Sequence, residues 1–64
     1  MEDVYHDLIN AYEVGYSEWR LAVSEHFDEM AHNTKLYRYL VRKLNKHYPH
    51  ILERLQSDLF HEYE

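Results

Sequence analysis

Sixty-four residues, a net charge of −5 and no cysteine allow one domain and exclude a disulfide framework or a thiolate metal site. A chain this short buries only about 60% of the surface its unfolded form exposes, so a lone core is marginal without a metal, a partner or a second copy. One glycine and one proline leave little for sheet turns. No apolar run approaches the ~20 residues that span a membrane, and the N-terminus lacks a basic-then-apolar signal pattern, so a cytoplasmic protein is expected.

The first predicted element is a helix over about residues 2–31. Tyr5, Leu8, Tyr12, Tyr16, Trp19, Val23, Phe27 and Met30 recur at steps of three and four, the spacing of one helical face. Glu2 and Asp3 open it where the helix dipole favours acids. Gly15 interrupts the pattern without shifting its phase. It predicts one long helix with a weak point, or a close helix crossing there. Such a helix is about 45 Å long.

Ala31-His32-Asn33-Thr34 is the one good connector, and Asn33 or Thr34 supplies a capping oxygen for the next helix. A second stripe follows: Tyr37, Leu40, Leu44, Tyr48, Leu52, Leu55, Leu59, Tyr63. Pro49 falls inside it. Proline has no amide donor and clashes with the preceding turn, yet it suits the first position of a helix. The second arm is therefore kinked or broken there, with helices over about 34–47 and 49–63. The expected fold is all-α: a helical hairpin with its second arm bent at Pro49, spanning residues 1–64 as a single domain. A compact three-helix bundle is the alternative. Two helices cannot bury both stripes, so two hairpins are expected to pair into a homodimeric bundle. Tyr12, Trp19, Val23, Phe27, Leu44, Leu52, Leu55 and Leu59 are the expected core and dimer residues.

Charge alternates along the chain. Residues 1–31 hold eight acids and only Arg20, residues 32–50 hold five cations and no acid, and residues 51–64 are acidic again apart from Arg54. An antiparallel hairpin sets Glu25, Asp28 and Glu29 beside Lys35, Arg38 and Arg42, in exposed pairs worth at most ~1 kcal/mol each. At the open end it gathers Asp3, Asp7, Glu13, Asp58 and Glu62 into an acidic pole, with Tyr5 and Tyr63 as apolar neighbours. Tyrosine suits a binding surface, because it joins apolar area to a hydroxyl.

The basic segment places Lys35, Arg38, Arg42 and Lys46 on one helical face, with Tyr39 and Lys43 alongside and Leu36, Leu40 and Leu44 opposite. Cations beside a tyrosine can follow a phosphate backbone and stack a base. Alternatively they neutralise the acidic arm of this chain or of a second copy.

Carboxylate and histidine stand three apart in Asp3–His6, Glu29–His32 and Asp58–His61, on one helical face each. These positions lie largely opposite the apolar stripe, whereas bundle metal sites point into the core, so solvated helix ends are the reading and no metal or other cofactor is expected. His47 and His50 flank a helix break, which commonly collects polar residues. His26, at the stripe's edge, suits a half-buried histidine with a hydrogen-bond partner. Ser17, Ser24 and Ser57 lie in no nucleophile motif, and no glycine-rich loop cradles phosphate. Catalysis is not expected. Val14 and Leu21, seven apart on the polar side, point to a second contact surface.

Together these features predict a small acidic protein–protein interaction module. It is a homodimeric regulator or inhibitor that docks an acidic, tyrosine-rich surface on a larger protein with a basic surface, such as one that otherwise holds nucleic acid. The alternatives are a dimeric RNA- or DNA-binding regulator using the basic helix, and a structural assembly subunit.

Overall fold

The computed structural model describes residues 2–62, with side chains for residues 2–60. They form four helices: α1 (Glu2–Val14), α2 (Tyr16–His32), α3 (Thr34–His47) and α4 (Pro49–Glu62). Among the described residues there is no strand. No helix is long and apolar enough to cross a membrane. A single residue separates each helix from the next: Gly15, Asn33 and Tyr48.

Each joint turns the chain by different local chemistry. At Gly15 the backbone has φ 155° and ψ 179°, a region that L side chains essentially never occupy and glycine enters without a Cβ clash. The Gly15 amide donates to the Ala11 carbonyl, closing α1, and the Gly15 carbonyl accepts from the Trp19 amide, opening α2. At Asn33 the side-chain Oδ1 accepts from the Leu36 amide at 3.1 Å. That is an N-cap, satisfying a donor that the first turn of α3 leaves free. At Tyr48 the amide donates to the Leu44 carbonyl, and the Tyr48 carbonyl accepts from Ile51 and Leu52. Pro49 then takes the first helical position, where its missing donor costs nothing.

Two expectations are corrected here. The single helix over 2–31 is two helices, because Gly15 reverses the chain and lays α1 back along α2. The second arm does break at Pro49, with α3 and α4 bounded as the proline predicts. The halves do not lie end to end as one bent arm, however: α4 folds back against α3. The result is neither a two-arm hairpin nor a three-helix bundle. It is a four-helix body measuring 28 × 27 × 19 Å, shorter than the helix expected for residues 2–31 alone.

Side-chain pairs give the arrangement. Asp7 meets His26, and the Tyr12 ring meets Trp19 edge-on at 5.5 Å, so α1 runs antiparallel to α2. Tyr5 meets Tyr39, which brings α1 to α3. Asp58 meets Trp19 and Arg54 stacks over Tyr16, so α4 runs alongside α2 in the same sense. All four helices turn apolar faces to one core. Leu8, Trp19, Leu36, Leu40, Leu44, Ile51 and Leu55 are its most fully buried side chains. Of the expected core, Trp19, Val23, Leu44, Leu52, Leu55 and Leu59 are buried and Phe27 is partly so. Tyr12 is 37% exposed in the single chain, outside its buried core. The break at Gly15 leaves it at the rim, with its ring on Trp19 and His50. Val4, Ile9, Ala22 and Ile51 join the core from outside the two stripes.

Among the described residues one side-chain hydrogen bond lies inside. The Trp19 indole Nε1–H donates to Asp58 Oδ2 at 2.6 Å, with Trp19 only 2% exposed and Asp58 buried. Arg54, one turn before Asp58, reaches the same carboxylate oxygen at 3.5 Å from the surface. The expectation that Asp58 faces away from the core is thereby overturned. A carboxylate inside an apolar body is tolerable because a donor and a cation meet it there.

Two substitutions check this arrangement. Asp58→Ala strands the buried indole donor and is expected to lower stability by about 1–3 kcal/mol, with Asp58→Asn losing less because it keeps an acceptor. Urea unfolding followed by the fluorescence of Trp19 measures both. Pro49→Ala is expected to destabilise by about 0.4–1 kcal/mol, because proline already matches the native backbone and restricts the unfolded chain. A rise in melting temperature for Pro49→Ala contradicts a separate α4.

Candidate functional site

Charge is segregated by helix. α1 and α2 hold eight carboxylates against Arg20, whereas α3 holds Lys35, Arg38, Arg42, Lys43 and Lys46 with no acid. Among the described residues no ion pair joins Glu25, Asp28 or Glu29 to Lys35, Arg38 or Arg42. The expected neutralisation across the Asn33 joint therefore does not occur. Both charged faces are left to the solvent or to a partner.

The acidic residues do not assemble as one pole. Asp3 and Glu13 are exposed on α1. Asp7 accepts from His26 Nε2 at 3.1 Å across the α1–α2 contact. A carboxylate only accepts, so Nε2 carries the proton. Asp58 is committed to Trp19 inside the body, and Tyr5 is buried against α3. Tyr5 leaves the surface because α1 folds back at Gly15, and Asp58 because α4 packs alongside α2; the hairpin register that had set residues 3–13 beside 53–64 is replaced. Tyr63 lies outside the described residues, as do the side chains of His61 and Glu62. Among the described residues no group of three or more histidine and acidic side chains is placed to hold a metal.

What the acidic half presents instead is a groove between α1 and α2 of about 350 Å³. Ala11, Val14 and Leu21 supply apolar lining, and Asp7, Glu18 and Glu25 supply the carboxylates. Val14 is 73% exposed and Leu21 60%. Their seven-residue spacing was the sequence signal for this surface. The groove itself is not legible there, because it forms only when α1 turns back on α2.

The basic half presents a cleft of about 230 Å³ along α3, lined by Tyr39, Arg42, Lys43, Lys46 and His47. Lys35, Arg38, Arg42 and Lys46 are exposed. Lys43 folds over α1 and places its ammonium 5.3 Å from the Tyr5 ring centre and 5.7 Å from that of Tyr39. These cation–π contacts hold the cation over the two tyrosine faces. The rings meet edge-on at 6.3 Å. The Tyr39 hydroxyl is shut off from solvent and has no hydrogen-bond partner among the described residues. Tyr5, assigned by sequence to the acidic surface, thus belongs with Tyr39 and Lys43.

A further apolar hollow, lined by Phe27, Met30, Ala31, Tyr37, Leu59 and Phe60, lies where α4 approaches the end of α2. No protein-family model, curated protein or solved structure matches this chain.

A buried hydroxyl without a partner costs about 1–3 kcal/mol of desolvation. Tyr39→Phe is therefore expected to leave the fold unchanged and raise stability by about 1 kcal/mol. Chemical denaturation of the two proteins side by side measures the difference, and a loss of stability shows that the hydroxyl has a partner in solution.

Proposed function

We propose that this chain is a small helical protein–protein interaction module whose acidic α1–α2 groove receives a basic amphipathic helix of a larger protein. It acts as a regulator or inhibitor by covering the partner's surface. The observation that supports this is the exposure of Val14 and Leu21 between carboxylates. A partner helix lays an apolar strip on these two side chains, and its lysines or arginines meet Asp7, Glu18 and Glu25 at the rim. Burial of the apolar pair supplies affinity, at about 25 cal/mol per Å² removed from water. The rim charges mainly set encounter rate and partner choice. The docking residues thus shift from the expected end pole to the side of the molecule.

A second reading rests on α3. Five cations without a carboxylate partner among the described residues, beside a tyrosine cleft, form a surface for a nucleic-acid backbone. The eight acids of α1 and α2 oppose a long polyanion lying across the whole molecule. This reading therefore confines contact to one short stretch along α3.

One pair of titrations separates them. A synthetic 18-residue helix of leucine and lysine, with its lysines on one face, is expected to bind the wild-type protein. Val14→Ser with Leu21→Ser should weaken it about tenfold or more, since each side chain loses a partial burial worth up to ~1.5–3 kcal/mol. Glu18→Gln with Glu25→Gln should slow association and flatten its salt dependence. Unchanged peptide binding in the serine variant rejects the groove. A single-stranded oligonucleotide whose affinity falls steeply with salt and is lost in Arg38→Gln, Arg42→Gln, Lys46→Gln establishes the α3 reading instead.

A further inference from the structure

We propose that Gly15 is a hinge through which α1 opens and docks on a second copy of this chain. The product is a domain-swapped dimer in which residues 2–32 form one continuous helix. The hinge does not depend on what enters the α1–α2 groove.

Three observations converge on it. First, the apolar stripe runs through the hinge in unbroken helical phase, from Leu8 through Tyr12 and Tyr16 to Trp19. A sequence that only needed to turn here has no reason to keep that register. A continuous helix needs it, because only then do both halves present one face to the same partner. Second, the turn rests on one residue held at φ 155°, with nothing within 4 Å of the position a Cβ would take. Crowding therefore does not demand glycine there; the backbone conformation does. Third, closure leaves exposed the two stripe aromatics on either side of the hinge, Tyr12 at 37% and Tyr16 at 61%. In the open helix both face the same side as Leu8 and Trp19. Two such helices crossing at their glycines, which permit close backbone approach, cover these rings with their counterparts.

The exchange needs no new surface elsewhere. The contacts that now hold α1 within one chain, Asp7 to His26 and Tyr12 to Trp19, form unchanged between α1 of one copy and α2 of the other, as in domain swapping generally. Opening also gives the amides of Tyr16, Ser17 and Glu18, which stand in the unpaired first turn of α2, carbonyl partners in α1. Concentration therefore selects between a closed monomer and an open dimer that share most of their contacts.

Gly15→Ala and replacement of Gly15 by D-alanine push this equilibrium in opposite directions. L-alanine is strained in the closed turn and favoured in the helix, on both chains of a dimer, so the dimerisation constant should rise about a thousandfold or more. D-alanine accepts the closed turn and opposes a right-handed helix, so that protein should stay monomeric. The chain has no cysteine, so spin labels at Asp3→Cys and Glu29→Cys report cleanly. Light scattering should give Gly15→Ala twice the 8.0 kDa chain mass. Diluting its labelled chains into unlabelled protein should show an intrachain distance of about 40 Å. The D-alanine protein should keep the short distance of the closed pair. A Gly15→Ala protein that stays monomeric, that unfolds rather than dimerising, or that dimerises with the short intrachain distance overturns the hinge.

Discussion

The indole–carboxylate bond between Trp19 and Asp58 is the contact on which the rest of the packing depends. Trp19 is the largest side chain of the core, and among the described residues Asp58 is the one buried charged side chain. Their bond fixes the height of α4 against α2. It also allows Tyr12 to close over the indole from α1 and Arg54 to lie across Tyr16. An apolar residue in place of Asp58 would fill space without naming a register, because hydrophobic burial has no direction. A donor at one site and an acceptor 39 positions later specify one alignment, since any slip leaves both unpaired in a dry interior.

The three one-residue joints explain how so short a chain encloses a core. Loops of ordinary length would spend residues on backbone that buries nothing. Here glycine's φ range, asparagine's capping oxygen and the tyrosine–proline pair each turn the chain in a single step. Four short helices result where two long ones would leave a face uncovered. The economy concentrates conformational risk at the joints. The Gly15 joint is the one with no side chain to hold it and with helix-compatible sequence on both sides.

Folding also decides which charges remain at the surface as distinct fields. The cations of α3 lie along one exposed face. Most carboxylates of α1 and α2 lie on theirs, and the two sets are not joined by ion pairs among the described residues. At physiological ionic strength the screening length is about 8 Å. Charged faces farther apart than this length act nearly independently. A partner meets either an acidic groove with apolar lining or a basic ridge with tyrosines, and the net charge of −5 describes neither.

The sequence by itself determined the all-helical class, an interruption at Pro49, a cap at Asn33 or Thr34 and the inward face of Leu36, Leu40 and Leu44. Periodicity, proline chemistry and capping are local, and each acts within a few residues. Only the tertiary structure decided that Gly15 reverses the chain, since the stripe has the same phase in a straight helix and in a folded one. It likewise decided that Asp58 turns inward and that Tyr5 leaves the acidic face for Lys43 and Tyr39. A helical wheel reports which side of a helix is apolar, but not which helix it meets. The polar contacts that specify this core join residues far apart in the chain, so their pairing exists only once the helices have packed.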